Sequence, residues 1–194
     1  MKTLLSTRRS LGAPRYASPL GCQSMPAKSK TQLLEKLRGE IHATIADPWV
    51  FPEHGHVKGF LGTGPVMLVA ERPSTGRVGG PPRLLYSLLE KFNAGAAHVT
   101  DIIKSRGTVG EAYPADMGPH RRIFDRELKI VQPTLIVTFG TKVYDLLQFT
   151  LAGSGITIRL VWHYSYARRG ADKAIAFEKQ LRDALSGAEM RDRT

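Results

Sequence analysis

Four short apolar runs rich in β-branched residues, 66–70, 98–103, 135–139 and 158–162, alternate with segments of helical character at 82–92, 120–131 and 141–149. Runs of this length and composition read as strands, and strands that alternate with helices argue for a parallel sheet covered on both faces. The expectation is therefore an α/β chain, a three-layer α/β/α sandwich around a central four-stranded parallel sheet. Leu33, Leu34, Leu37, Ile41 and Ile45 recur at helical spacing ahead of the first strand, in a helix that should stop before Pro48. A last helix over 171–185, with Ala174, Ile175, Phe177, Leu181 and Leu185 on one side, closes the domain.

Composition bounds the rest. A chain of 194 residues, 42% hydrophobic, is sized for one core. Residues 1–29 mix Pro, Gly, Ser and Arg without periodicity and read as a disordered basic tail, leaving a domain over 30–187 and a short tail at 188–194. Lys2, Arg8, Arg9, Arg15, Lys28 and Lys30 face no acid in the first 30 residues, so more than half of the net charge of +11 sits there. The folded part is moderately basic, which favours a polyanion such as DNA but selects no sequence. The single cysteine, Cys22, excludes an intrachain disulfide or a cysteine-held cluster, and a reducing cytosol fits best. No run approaches the ~18 apolar residues of a membrane span. An organelle presequence in the basic opening segment is the less favoured alternative.

Ligands of open parallel sheets collect at the carboxyl ends of the strands. That rule selects the loops 71–80, 104–119, 140–141 and 163–170, where polar and charged residues concentrate. In the first, Glu71 leaves the strand and is followed at once by Arg72 and Pro73, whose ring restricts the local backbone. Such a carboxylate can place a water or face a developing cation, or simply pair with Arg72 or Arg77. In the last loop His163 stands beside Ser165, Arg168 and Arg169, a set suited to receiving a phosphodiester and stabilising a leaving anion. The second loop adds Lys104, Ser105 and Arg106 after Asp101, which could equally cap a turn.

Taken in order, five segments resemble the uracil-DNA glycosylase superfamily, most closely the branch that carries an iron–sulfur cluster. They are Val69-Ala70-Glu71-Arg72-Pro73-Ser74, then Arg77-Val78-Gly79-Gly80, then Val99-Thr100-Asp101-Ile102-Ile103-Lys104-Ser105-Arg106, then Gln132-Pro133-Thr134-Leu135-Ile136-Val137-Thr138-Phe139-Gly140, and last His163-Tyr164-Ser165-Tyr166-Ala167-Arg168-Arg169. The likeness spans about residues 60–185. It implies an enzyme that flips a damaged nucleotide out of DNA before cleaving its glycosidic bond. By the resemblance Glu71 orients water and favours the cationic sugar, and His163 donates a hydrogen bond to the departing base. Pro73, Ser74, Ser165, Arg168 and Arg169 contact phosphates, with Lys104 and Arg106 as weaker candidates.

Four departures shape the expectation. The cluster cysteines are missing, Ser105 standing at one such position, so neither metal nor organic cofactor is expected. Arg77 replaces a stacking phenylalanine, and a guanidinium can still lie flat over a base. Tyr164 replaces a proline, which should loosen the last loop. Asp101 replaces the asparagine that reads the base edge. An ionised aspartate only accepts and suits a cytosine-like edge, whereas a protonated one regains the donor that uracil requires. Asp101 could also be the water-positioning acid, with Glu71 in an outer role. Arg121-Arg122-Ile123-Phe124 is similar to a basic loop of a covalent-trapping branch, but Phe124 stands where that chemistry needs a histidine. The expected function is a monomeric, monofunctional glycosylase acting on uracil or a related deaminated base in DNA. The rivals are an inert DNA- or abasic-site-binding module and a glycosylase for a cytosine-like base.

Overall fold

The computed structural model describes residues 26–73, 82–107 and 113–189. Residues 1–25 of the tail expected over 1–29, Ser74, Arg77 and residues 190–194 lie outside the described residues, while helix already begins at Ala27 and continues to Glu189, so the ordered domain reaches past both expected bounds of 30 and 187. Among the described residues the α-helices and strands run in the order α1 (Ala27–Thr44), β1 (Val66–Ala70), α2 (Pro82–Lys91), β2 (His98–Asp101), α3 (Gly118–Val131), β3 (Leu135–Phe139), α4 (Thr141–Thr150), β4 (Thr157–Val161) and α5 (Ala171–Glu189). The strands form one parallel sheet in the order β2-β1-β3-β4. This is the expected three-layer α/β/α sandwich. The chain starts at a central strand, steps out to β2, and returns across β1 to β3, so the order reverses between β1 and β3.

Side chains of successive strand residues point to opposite faces. Leu68, Ala70, Val99, Val137, Phe139 and Val161 face α2 and α5, where they pack on Leu85, Leu89, Phe177 and Leu181. Met67, Val69 and Ile136 face the other way, onto Phe124 of α3 and Val143 and Leu147 of α4. α1 packs outside α3 through Leu34, Leu37 and Ile41 against Ile123, Ile130 and Val131. The Lys30 ammonium donates to the Val131 carbonyl at 2.8 Å, and Glu40 pairs with Arg126, which fixes α1 along the length of α3.

The segment 47–64, expected as a long loop, is loop-like but contributes heavily to the core. Trp49, Phe51, Val57, Phe60 and Leu61 are all buried, and a single 3-10 turn forms at Gly59–Leu61. β2 is shorter than its apolar run: Ile102 and Ile103 continue past the strand, though their amides still donate to the carbonyls of Ala70 and Glu71 at the end of neighbouring β1. β3 passes directly into α4 through Gly140, whose φ of 96° lies where a side chain would be strained. At the outer margin of the sheet, the Trp162 amide donates to Gln180 Oε1 at 3.0 Å and the Arg159 guanidinium to the Asp183 carbonyl at 2.7 Å. These two contacts fasten α5 to β4 and the residue that follows it. Among the described residues no helix is long and apolar enough to cross a membrane.

Candidate active site

Glu71 and His163 come from the ends of β1 and β4, which are separated by β3 alone. With ~4.8 Å between neighbouring strands, the two chain axes stand ~10 Å apart. The Glu71 carboxylate lies close enough to pull the His163 pKa upward, but burial pushes it down more strongly, and the ring ends below its ordinary value of 6.5. His163 is therefore neutral at pH 7. Its tautomer follows from its neighbours: the Ser165 backbone N–H points at Nδ1 at 3.3 Å, and that group can only donate. Nδ1 carries no proton, so the Ser165 hydroxyl at 2.8 Å also donates to it, and the ring proton sits on Nε2. The outcome is an imidazole locked with one free donor.

Glu71 is one-third exposed and lies 3.7 Å from Lys142 Nζ, in the first turn of α4. On the other side, Tyr113 is held above its ordinary pKa by partial burial and by a hydrogen bond to Glu71, with the Arg72 guanidinium 6.0 Å from the ring centre. Glu71, Tyr113 and Lys142 line a small cleft of about 50 Å³ with Ile102, Ile103, Met117, Val143 and Leu146. The cleft sits at the point where strand order reverses.

Asp101 closes β2, level with Ala70 in the strand register. Its side chain faces the α2 and α5 layer, is 2% exposed, and neither carboxyl oxygen has a hydrogen-bond partner. Tyr86 and Tyr164 both feel its charge. Burial raises the Asp101 pKa to about 8, with Lys104 pulling down and Glu127 pushing up. At neutral pH the acid is protonated. It is not, however, in the cleft beside Glu71, and an incoming base edge reaches it only if Tyr164 or its neighbours move. The structure thus brings Glu71 and His163 within electrostatic range and leaves Asp101 enclosed behind them.

Several expectations change. Lys104 is not a phosphate contact: it is 1% exposed, and its ammonium lies 2.7 Å from Thr100 Oγ1, 2.7 and 2.9 Å from the two Glu127 carboxylate oxygens, and against the Asp101 carbonyl. Burial pushes the Glu127 carboxyl up, but Lys104 and His98 outweigh it and hold the carboxyl below its ordinary value. Tyr164 does not loosen the last loop. It is 6% exposed, packs edge-on against Phe139 at 5.3 Å and lies 4.3 Å from the His163 ring, so it anchors the loop instead. Pro73 is buried and its carbonyl accepts from the Gly107 amide, tying the first loop to the second. Ser165 is exposed and spends its hydroxyl on His163. Arg106 is exposed and 3.7 Å from Asp47, and Arg168 and Arg169 are both exposed. Arg121 and Arg122 are exposed in the first turn of α3, while Phe124 is buried.

Sequence reasoning passed over Tyr113, Lys142, Tyr86, His98 and Glu127. Lys142 carries a weak signal, being in the first turn after a strand-end glycine. The others reveal themselves only through contacts distant in the chain. Among the described residues no three His, Cys, Asp or Glu side chains are grouped to hold a metal ion. Comparison with models of known protein families and with curated protein sequences finds no match for this chain.

Proposed function

We propose that this protein is a uracil-DNA glycosylase-like enzyme that hydrolyses the glycosidic bond of a flipped-out uracil, or a related deaminated base, in DNA. The observation that carries the reading is the pairing of an acid and a neutral imidazole at the carboxyl end of the sheet, His163 within the field of Glu71. Cleaving the bond leaves positive charge on the sugar and negative charge on the base. Glu71 suits the first pole, as a carboxylate that holds water and faces a cation. The free Nε2–H of His163 suits the second, as a donor aimed at a developing oxyanion. Protonated Asp101 fits a carbonyl-bearing edge, which favours uracil over a cytosine-like base should the pocket open to it.

The test is excision on oligonucleotides carrying uracil, hypoxanthine, xanthine, a thymine mismatch or plain cytosine, followed by alkaline cleavage of abasic sites. Uracil should be released without prior nicking. No product from any substrate between pH 5 and 9 would sink the proposal. One observation favours a second reading, a binding module for abasic DNA: Asp101 and Tyr164 are both closed off from solvent. Tight binding of abasic DNA with no turnover of any base would decide for that module.

A further inference from the structure

The loop after β4 carries a feature that base excision leaves unused. The Tyr166 amide donates to the His163 carbonyl at 2.8 Å, and the resulting turn folds Tyr166 back onto Trp162, their ring centres 5.3 Å apart and nearly perpendicular. The Arg169 guanidinium sits 4.8 Å from the Tyr166 ring centre. Trp162 is 40% exposed, Tyr166 is half-buried, and Arg168 and Arg169 are exposed. Trp162 directly precedes His163, so side-chain alternation along extended backbone turns the indole away from the half-buried imidazole and toward solvent.

Two properties point to a partner. Residues 162–170 contain two arginines and no acid, and among the described residues neither arginine is in an ion pair, so the patch is positive and uncompensated. An indole and a phenol held in fixed orientation also offer flat π surfaces at small entropic cost. Aromatic faces beside cations are what unpaired bases and their phosphates bind, because every base has a stacking face while duplex DNA keeps its bases stacked on each other. We propose that Trp162, Tyr166 and Arg169 form a stacking platform for unpaired nucleotides next to the one delivered to His163, giving the protein a preference for single-stranded over duplex nucleic acid. The location beside His163 rests on the glycosylase reading, but stacking on an unpaired strand does not require excision.

The chain has two tryptophans, and Trp49 is 8% exposed within the core, so Trp162 is the one an incoming strand can reach. Titration of the full-length protein with an undamaged single-stranded oligothymidine, at fixed salt, should quench tryptophan emission, and the quench should vanish in Trp162→Phe while binding persists. Trp162→Ala and Tyr166→Ala should each weaken oligothymidine binding about tenfold, as expected for one lost base–ring stack, with circular dichroism unchanged. Binding of the matched duplex should change much less. Equal affinity of Trp162→Ala, Tyr166→Ala and the parent protein for the single strand would overturn the platform, as would equal losses on single strand and duplex. Excision on a uracil oligonucleotide is scored separately. Excision without any effect of the ring substitutions on strand binding removes the platform and spares the glycosylase. Stacking without excision does the reverse.

Discussion

At the residue scale, a carboxyl enclosed near two phenols at the end of β2 ties the stability of the chain to pH. Asp101 ionises near 3.8 in an unfolded chain and near 8 when folded. Below the lower value both states hold the proton and its contribution is fully present. Between the two values only the folded state keeps it, so stability falls as pH rises, on the order of 1 kcal/mol per pH unit, and levels off above about 8. Asp101→Asn removes that slope. Urea unfolding at pH 5, 6, 7 and 8 should show the variant gaining on the parent at each step, and a constant difference would mean that the native acid is ionised. His163 shifts the other way, and the proposed reaction uses it as neutral imidazole. Excision should show no inflection at 6.5, the ordinary imidazole value, when rate is followed against pH. His163→Ala should lower kcat by about a hundredfold or more, the usual cost of one donor to a developing anion, and Glu71→Gln should also lose rate severely. Both should retain DNA binding in a fluorescence-anisotropy titration.

At the scale of elements, β2 and α3 are joined by a buried polar knot rather than by apolar contact alone. The Lys104 ammonium donates to Thr100 Oγ1 and Glu127 Oε2, Thr100 donates to Glu127, and His98 Nε2 lies 3.6 Å from Glu127 while its ring packs 5.0 Å from Phe60. Removing one partner strands the other without solvent. Glu127→Gln or Lys104→Met should therefore cost about 3–5 kcal/mol in chemical denaturation, far more than an exposed pair such as Lys179–Asp183. This knot also marks the limit of what the sequence discloses. The strands and helices were legible because their apolar periodicity is local, and Glu71 and His163 because strand ends are where ligands gather. Lys104 reads as a DNA contact in sequence because it follows a strand and precedes a serine and an arginine. Its burial depends on Glu127, 23 positions away, and no local pattern encodes that meeting. Tyr164 is the same case, its packing on Phe139 invisible until β3 and β4 pair.

At the scale of the molecule, charge is divided unevenly along the chain. Residues 1–25 contain Lys2, Arg8, Arg9 and Arg15 and no acid. If these groups engage phosphates, replacing all four with glutamine should flatten the slope of log Kd against log salt by up to ~3 for DNA, while the thermal midpoint stays put. An unchanged slope would assign DNA affinity to the residues after position 25 alone. The placement of α5 bears on how the chain is made. Translation delivers this helix after all four strands, and until it arrives the apolar sheet face under Phe177 and Leu181 stays open to any neighbouring chain. A message cut short between Gly170 and Phe177 should yield ribosome products that cluster into sheet-rich precipitate, because the latch supplied by Gln180 and Asp183 never reaches its seat.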